Sequence, residues 1–300
     1  MRADRGERVA RAAFAAQSVL AGGNAVAVRF SNRELAPLWG AGLRFVLAAA
    51  LLAAAMALLR LPLPRGRAQL GAVLYGLLNF GFSFALTYHG LVHVHAGLGQ
   101  ALLALVPLFT LLLAVLWRQE RLRPAAVAGT VLALAGVLLL SREPLRHDVP
   151  VGSVLSMIGG AVCFAQALVV VRRFPRVHPV TMNAVGMGVA AVVLLAGSVV
   201  TGEQRVLPTR SDTWFALGYV VVVGSVVVFL LYVAILRYWA ASRAAYTWVV
   251  VPFVTVVLSA RLDDEPVTAW LVAGCLLILA GVYVGALRRE PAAASSQPAR

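Results

Sequence analysis

Lysine is absent from the 300 residues, so all 26 basic side chains are arginines. Acidic residues number only 12, and none falls inside a long apolar run. The two cysteines, Cys163 and Cys275, both lie within apolar stretches, which excludes a disulfide framework or a cysteine-based metal cluster. No Gly-x-x-x-x-Gly-Lys-Ser/Thr loop is present, so direct drive by ATP is excluded. No leader-cleavage pattern follows the first apolar run, which is therefore expected to be retained. Charged residues make up 13% of the chain, against about 25% in soluble domains. This scarcity rules out a soluble enzyme, a nucleic-acid-binding module and a disordered tail protein. The net charge of +14 does not indicate nucleic acid, because the arginines cluster between apolar runs instead of lining one polar face.

What fills the chain is hydrophobic: 61% of residues, with a mean hydropathy of +0.87. Ten apolar runs, each near the ~20 residues needed to span a bilayer, cover 9–30, 36–59, 68–89, 94–117, 124–141, 151–172, 178–201, 213–237, 243–262 and 266–287. Short connections rich in proline join them, too short to hold an extramembrane domain. Alternate connections differ in arginine. Arg60, Arg65, Arg67, Arg118, Arg121, Arg123, Arg172, Arg173 and Arg176 crowd one set, while the other holds only scattered ones such as Arg29, Arg142, Arg205 and Arg261. Positive loops stay in the cytoplasm, so both termini are expected there. The chain reads as a multi-pass protein of the plasma or inner membrane.

The two halves repeat. Pro107 and Glu120 recur as Pro252 and Glu265 at an offset of 145 residues. At the same offset Val127-Ala128-Gly129 meets Val272-Ala273-Gly274, and Leu134-Ala135-Gly136-Val137 meets Leu279-Ala280-Gly281-Val282. Upstream, Pro37 and Pro179 correspond at 142. Five spans per copy force the second copy to enter the membrane from the opposite side, so the repeats are inverted. The expected organisation is a cytoplasmic N-terminal tail over 1–8, a first five-helix repeat over 9–141, a linker over 142–150, a second repeat over 151–289 and a disordered tail over 290–300. The fold class is an all-α polytopic membrane protein of ten transmembrane helices in two inverted five-helix repeats. Two nearly equivalent packings of such a pair, one open to each face, are the physical basis of alternating access.

Across about residues 9–289 the chain resembles EamA-type members of the drug/metabolite transporter superfamily. The stretches that carry the likeness are Gly22-Gly23-Asn24-Ala25-Val26-Ala27-Val28-Arg29, Leu43-Arg44-Phe45, Leu105-Val106-Pro107-Leu108-Phe109 and Glu120-Arg121-Leu122. Ala241-Ser242-Arg243-Ala244-Ala245, Pro252 and Glu265 add to it, together with Gly129 and Gly274 and the two Leu-Ala-Gly-Val blocks. Family members often carry Glu just before the second-half proline; here that position is Val251. The resemblance implies a secondary transporter of small metabolites or drugs (amino-acid-, nucleoside- or drug-like), acting in export, with helices one, three, four, six, eight and nine around a central cavity. It implies a small-molecule substrate and the lipid bilayer as partners, no nucleic acid and no cofactor, and leaves monomer and homodimer both open. A membrane channel or pore is the alternative, and a membrane-embedded enzyme stands behind it. A channel would show a ring of like charges or a filter loop, and an enzyme a metal cluster or acid–base pair at span depth.

Polar side chains at span depth on those helices are the substrate-binding candidates: Asn24, Asn79, Gln100, Gln166, Tyr232, Tyr246 and Trp248. Such a neutral lining suits a neutral or zwitterionic molecule. Tyr75, Asn79, Phe82 and Leu86 recur at helical spacing and should share one face of the third helix. Pro107 and Pro252, at matched mid-span positions, are the hinge candidates, since each removes an intrahelical hydrogen bond. His89, His93 and His95 have no ligand spacing for a metal and read as interfacial residues. Arg44 should snorkel to the interface, and Glu120 and Glu265 should fix loop geometry through arginine or backbone partners.

Overall fold

A computed structural model describes residues 2–119, 124–140, 149–228 and 247–287, with positions 230, 231, 235 and 238. Ten helices follow the apolar runs: α1 Arg2–Asn32, α2 Pro37–Leu58, α3 Arg67–Gly90, α4 Ala96–Leu116 and α5 Pro124–Leu140, then α6 Val151–Val171, α7 Pro179–Val200, α8 Ser211–Val227, α9 Thr247–Leu262 and α10 Ala269–Val282 with a terminal turn Tyr283–Leu287. Among the described residues there is no strand. Helix α1 begins at Arg2 and so takes in the residues before position 9. Glu120, Tyr232 and Tyr246 lie outside the described residues, as does the side chain of Trp248.

The outward surface is apolar. Leu51 on α2, Val131, Leu134 and Leu138 on α5, Val192 on α7 and Leu276 on α10 are all exposed. A continuous coat of this kind suits lipid and not water. Polar side chains turn inward: Gln17 on α1 accepts a hydrogen bond from Thr247 on α9 at 3.2 Å, and Thr255 donates to the Gly22 carbonyl at 2.9 Å.

The helix pairing carries the two-fold relation of the repeats. Helix α2 packs along α7, α5 along α10 and α4 on α9; α1 meets α8 and α9, while α6 meets α3 and α4. Exchanging the two halves helix for helix returns the same set of pairs. The glycines of the sequence repeat form the α5–α10 contact. A Cβ on Gly129 would stand 2.5 Å from the Gly281 carbonyl oxygen, and one on Gly136 would stand 2.8 Å from that of Gly274. The offset of 145 carries Gly129 to Gly274 and Gly136 to Gly281, so each contact is the image of the other. Small residues let membrane helices approach this closely.

Helices α3 and α8 each pass through a π-helical segment, Gly76–Phe82 and Tyr219–Val227, at corresponding places in the two repeats. In α3 the Ser83 amide donates to the Leu78 carbonyl five residues back. This widened turn breaks the stripe expected from helical spacing. Asn79 is 2% exposed but Phe82 is 49% exposed, so the two point to different sides.

Candidate functional site

A cavity of about 110 Å³ opens among α1, α2, α3, α4 and α6. Its walls are chiefly apolar, with Val28, Phe84, Leu91, Leu103, Val106 and Phe164 supplying most of them. The polar groups at its edge are Asn24, Arg44, Ser83, Thr87, Tyr88 and Gln100.

Arg44 does not snorkel. It is 2% exposed, one third of the way along α2, and its side chain turns into the bundle. Its Nε donates to Ser225 Oγ at 3.3 Å, and Nη1 lies 3.5 Å from the Tyr88 hydroxyl. Ser225 spends its own proton on the Val220 carbonyl five residues back, at 2.9 Å, a bond that the π turn of α8 makes available. The guanidinium also lies 4.9 Å from the Phe84 ring centroid and 5.4 Å from that of Phe45. Aromatic faces offset part of the cost of removing a cation from water. Phe45, Phe80, Phe84 and Tyr88 form a ladder between α2 and α3, with Phe45 and Phe84 edge to face at 4.9 Å.

Of the described residues expected from sequence, Asn24 and Gln100 line this cavity, and Asn79 and Gln166 do not. Asn79 is buried outside it, its Oδ1 without a partner among the described residues. Gln166 is partly buried on α6 and is not among the lining residues. Sequence reasoning missed Arg44, Ser83, Phe84, Thr87 and Tyr88. The available signal was Arg44 itself, the one charge set well away from both ends of an apolar run, since an ionisable residue at membrane depth is by default a functional one.

Above the cavity, the connections opposite the termini are tied together. Glu265 accepts from the Ala96 and Gly97 amides at the start of α4, at 2.8 and 3.3 Å, and pairs with Arg29 at 3.0 Å. Arg29 also donates to Asp263 at 2.8 Å and to the Val94 carbonyl at 2.7 Å, and Arg33 pairs with Asp263. Between the two acids, Asp264 adopts a left-handed backbone (φ 49°), a conformation that Asp tolerates better than most residues. The same device recurs nearby: Glu203 receives the Leu38 and Trp39 amides of α2, and Glu34 those of Thr209 and Arg210 ahead of α8. None of these three helix starts is capped by the side chain of its own N-cap residue. At α2 and α4 the orphan amides are satisfied instead by a carboxylate from another connection, which suits the positive end of a helix; at α8 the carboxylate of Glu34 holds the N-cap residue and the one before it. Glu265 thus takes the loop-fixing role expected of it.

Glu34 and Glu265 stay ionised. The Thr209 hydroxyl and amide hold Glu34 well down, to about 2. Burial pushes Glu265 up, but His95, the Ala96 amide, the Arg29 charge and the Gly97 amide outweigh it and bring the carboxyl to about 2. His89 and His93 are exposed and His95 is partly so; among the described residues no group of His, Cys, Asp or Glu could hold a metal.

Helix α4 is interrupted at Ala104–Leu105, where the Leu105 amide reaches only the Leu102 carbonyl, at 3.1 Å. Pro107 follows at once; its ring conflicts with a regular turn and its missing N–H leaves the Leu103 carbonyl without a helical donor. Pro252 sits inside an unbroken α9. The matched prolines therefore have different local outcomes.

The EamA-like transporter family matches residues 12–142 and 152–286, one copy in each half. The uncharacterized inner membrane transporter YedA of Escherichia coli (strain K12) is 30% identical over 254 residues, covering 83% of this chain and 82% of its own. A probable amino-acid metabolite efflux pump of Salmonella typhimurium is 27% identical over 281 residues, covering 89% and 91%. One crystal structure superimposes with a TM-score of 0.64 at 21% identity, covering 93% of this chain and 96% of that one, a likeness of fold. Ten helices in two inverted repeats, around a cavity within the bilayer, agree with these matches: the chain belongs to the EamA-like transporter family and is a membrane transporter of small molecules.

Proposed function

We propose that the protein is a secondary carrier that exports small metabolites or drugs by alternating access, with the arginine-rich connections and both termini in the cytoplasm. The observation that carries this reading is the exchange symmetry of the helix pairs that join the two halves. A two-fold-related pair of halves has a second packing of nearly equal energy, in which the opposite face opens. The ties of Arg29 and Arg33 to Asp263 and Glu265 join the end of α1 in the first half to the α9–α10 connection in the second. They would close the outer face in one packing and part in the other. The amino-acid metabolite efflux named for the Salmonella relative favours an amino-acid-like substrate and export.

Flux into proteoliposomes tests the proposal. A carrier gives saturable uptake that is accelerated by substrate on the far side. Linear, unsaturable flux without counterflow would establish a pore instead. Metabolite profiling of medium from overexpressing and deletion strains would supply the candidate substrates.

A further inference from the structure

We propose that a carboxylate latch breaks the symmetry of the repeats, so that the protein rests with its halves tied at the face opposite the termini and opens first at the arginine-rich face. This rests on the carrier reading and states which of its two packings is the resting one.

Three glutamates make the latch, and each reaches from one half into the other. Glu203 of the second half accepts the Leu38 and Trp39 amides of α2 at 3.1 and 2.9 Å. Glu265, also of the second half, accepts the Ala96 and Gly97 amides of α4 and pairs with Arg29 of α1. Glu34 of the first half accepts the Thr209 and Arg210 amides ahead of α8, at 2.6 and 3.3 Å. Asp263 adds ion pairs with Arg29 and Arg33. All of these groups lie on one face, where α1 and α9 end and α2, α4 and α8 begin.

An inverted repeat carries each group to an image position at the other face. At the offset of 142 that relates α2 to α7, the image of Glu203 is Leu61. The backbone keeps that register: the Leu61 amide bonds to the Met56 carbonyl and the Glu203 amide to that of Ser198, both at 3.0 Å, behind left-handed Arg60 and Gly202. Glu34 stands three residues before Pro37, and three before Pro179 stands Arg176. Asp263 maps onto Arg118 at 145, and Arg29 onto Val171 at 142, so their ion pair has no image. Of the four acids, Glu265 alone keeps an acidic image, Glu120. The helix starts at that face agree. The Val180 amide of α7, image of Leu38, bonds to Nδ1 of its own N-cap His178 at 3.3 Å, and the start of α3 takes no side-chain cap among the described residues. Bonds between the halves there use neutral acceptors: Gln119 donates to the Val169 carbonyl and Arg173 to that of Trp117.

The two packings therefore differ in energy. Parting the halves at the latched face breaks the bonds of all four acids, whereas among the image positions only Glu120 can supply a carboxylate. A bond to an ionised group shifts an equilibrium roughly tenfold or more. Glu34 is exposed, so water screens much of its share. Glu203 and Asp263, which lack acidic images, give a preference on the order of 100-fold for the packing latched opposite the termini. With the arginine-rich connections in the cytoplasm, the resting carrier loads from the cytoplasm, the order that export needs.

Distances between paired spin labels test this on the full-length protein in lipid nanodiscs, in a Cys163→Ala, Cys275→Ala background. Val92→Cys with Leu207→Cys spans the halves at the latched face, and Leu63→Cys with Val177→Cys spans them at the other. The parent should populate one packing. Glu203→Gln should shift the equilibrium on the order of tenfold toward the other packing, with a longer distance appearing at the latched face and a shorter one opposite. Leu61→Glu, which rebuilds the missing image of Glu203 near the start of α7, should shift it the same way, and the two together on the order of 100-fold. Distances that no variant moves, with only Tm lowered, would make these acids structural caps and overturn the proposal. An evenly divided parent would overturn it as well. Should Glu203→Gln fail to accumulate, Leu61→Glu carries the test, since it adds a tie and removes none: a moved population supports the latch and an unmoved one removes it. Counterflow of an amino-acid mixture, uridine and ethidium separates this from the carrier reading. Saturable counterflow with unmoved distances keeps the carrier and overturns the latch. Moved distances without saturable flux of any probe keep the latch and overturn the carrier.

Discussion

Glu265 shows how much one side chain does at the face opposite the termini. It joins the start of α4 to the end of α1 through two backbone amides and Arg29. Its folded-state pKa is held at about 2, below the ordinary 4.5. A depressed carboxylate stabilises the fold fully above its unfolded pKa and loses that contribution as pH falls toward the folded value. Thermal stability in detergent should therefore hold above about pH 4.5 and decline between there and pH 2. In Glu265→Gln that part of the decline should vanish, and stability at pH 7 should drop by about 2 kcal/mol, the scale of a hydrogen bond to a charged group. A variant as stable as the parent at pH 7 would make the pair incidental. The repeat marked Glu265 in the sequence, because an acid at a fixed distance from proline stands out among apolar residues. Arg44 stood out equally, but its direction depends on which neighbours flank α2. An arginine near a helix end can reach the interface or turn inward, and the choice lies in the packing of α3 and α8, which are remote in sequence.

At the scale of helices, the apolar runs of α2 to α7 were legible to within about two residues, because bilayer thickness sets their length, while α1 starts seven residues before its run. The π turns were not. A hydrophobic helix with one extra residue per turn has the same composition as a regular one, so the stripe through Asn79 and Phe82 looked continuous in sequence and is not. The glycine repeat was legible as pattern, and the α5–α10 contact supplies its cause. Gly129→Ala should destabilise the protein by about 1–3 kcal/mol, the usual cost of forcing an atom into a packed contact. Gly188→Ala on α7, where an added Cβ meets nothing within 4 Å, should be neutral or slightly stabilising. Unfolding of the two variants side by side checks this, and equal losses would refute the packing account. Pro107 and Pro252 make a second contrast. Replacing Pro107 with alanine allows α4 to run straight through the break at Ala104–Leu105. That should slow exchange between packings about fivefold, equivalent to ~1 kcal/mol, while binding changes little. Pro252→Ala should slow it less, since α9 is already continuous. Unchanged flux in both would remove the hinge role.

The molecule as a whole raises the question of what drives transport. Proton-coupled carriers need a group at span depth that titrates within the working pH range, where burial and its relief can shift its affinity for a proton. The apolar runs contain no Asp, Glu or Lys, and Arg44, the charge set deepest within one of them, does not release its proton. The acids at the rim are equally poor carriers. Glu34 is held at about 2 by hydrogen bonds chiefly from Thr209, and Glu265 at about 2 by hydrogen-bond donors and the Arg29 charge, which outweigh its burial, so neither takes up a proton near neutrality. His89, His93 and His95 remain, the first in the last turn of α3 and the others on the α3–α4 connection, with Arg29, Arg33, Asp263 and Glu265 on the elements packed beside it. Protonating His95, whose Nδ1 lies 3.6 Å from Glu265, would add a cation beside an anion and tighten the ties at the face opposite the termini. That can change the rate of opening without moving a proton across the membrane. We therefore predict flux down the substrate gradient or by exchange, with a modest pH dependence that is lost in His95→Ala. Proteoliposomes with an imposed pH gradient and equal substrate on both sides decide the matter. Net accumulation that collapses with a protonophore would refute uncoupled transport, and its loss in His89→Ala would identify the coupling group. No accumulation, with counterflow intact, leaves the substrate gradient as the driving force.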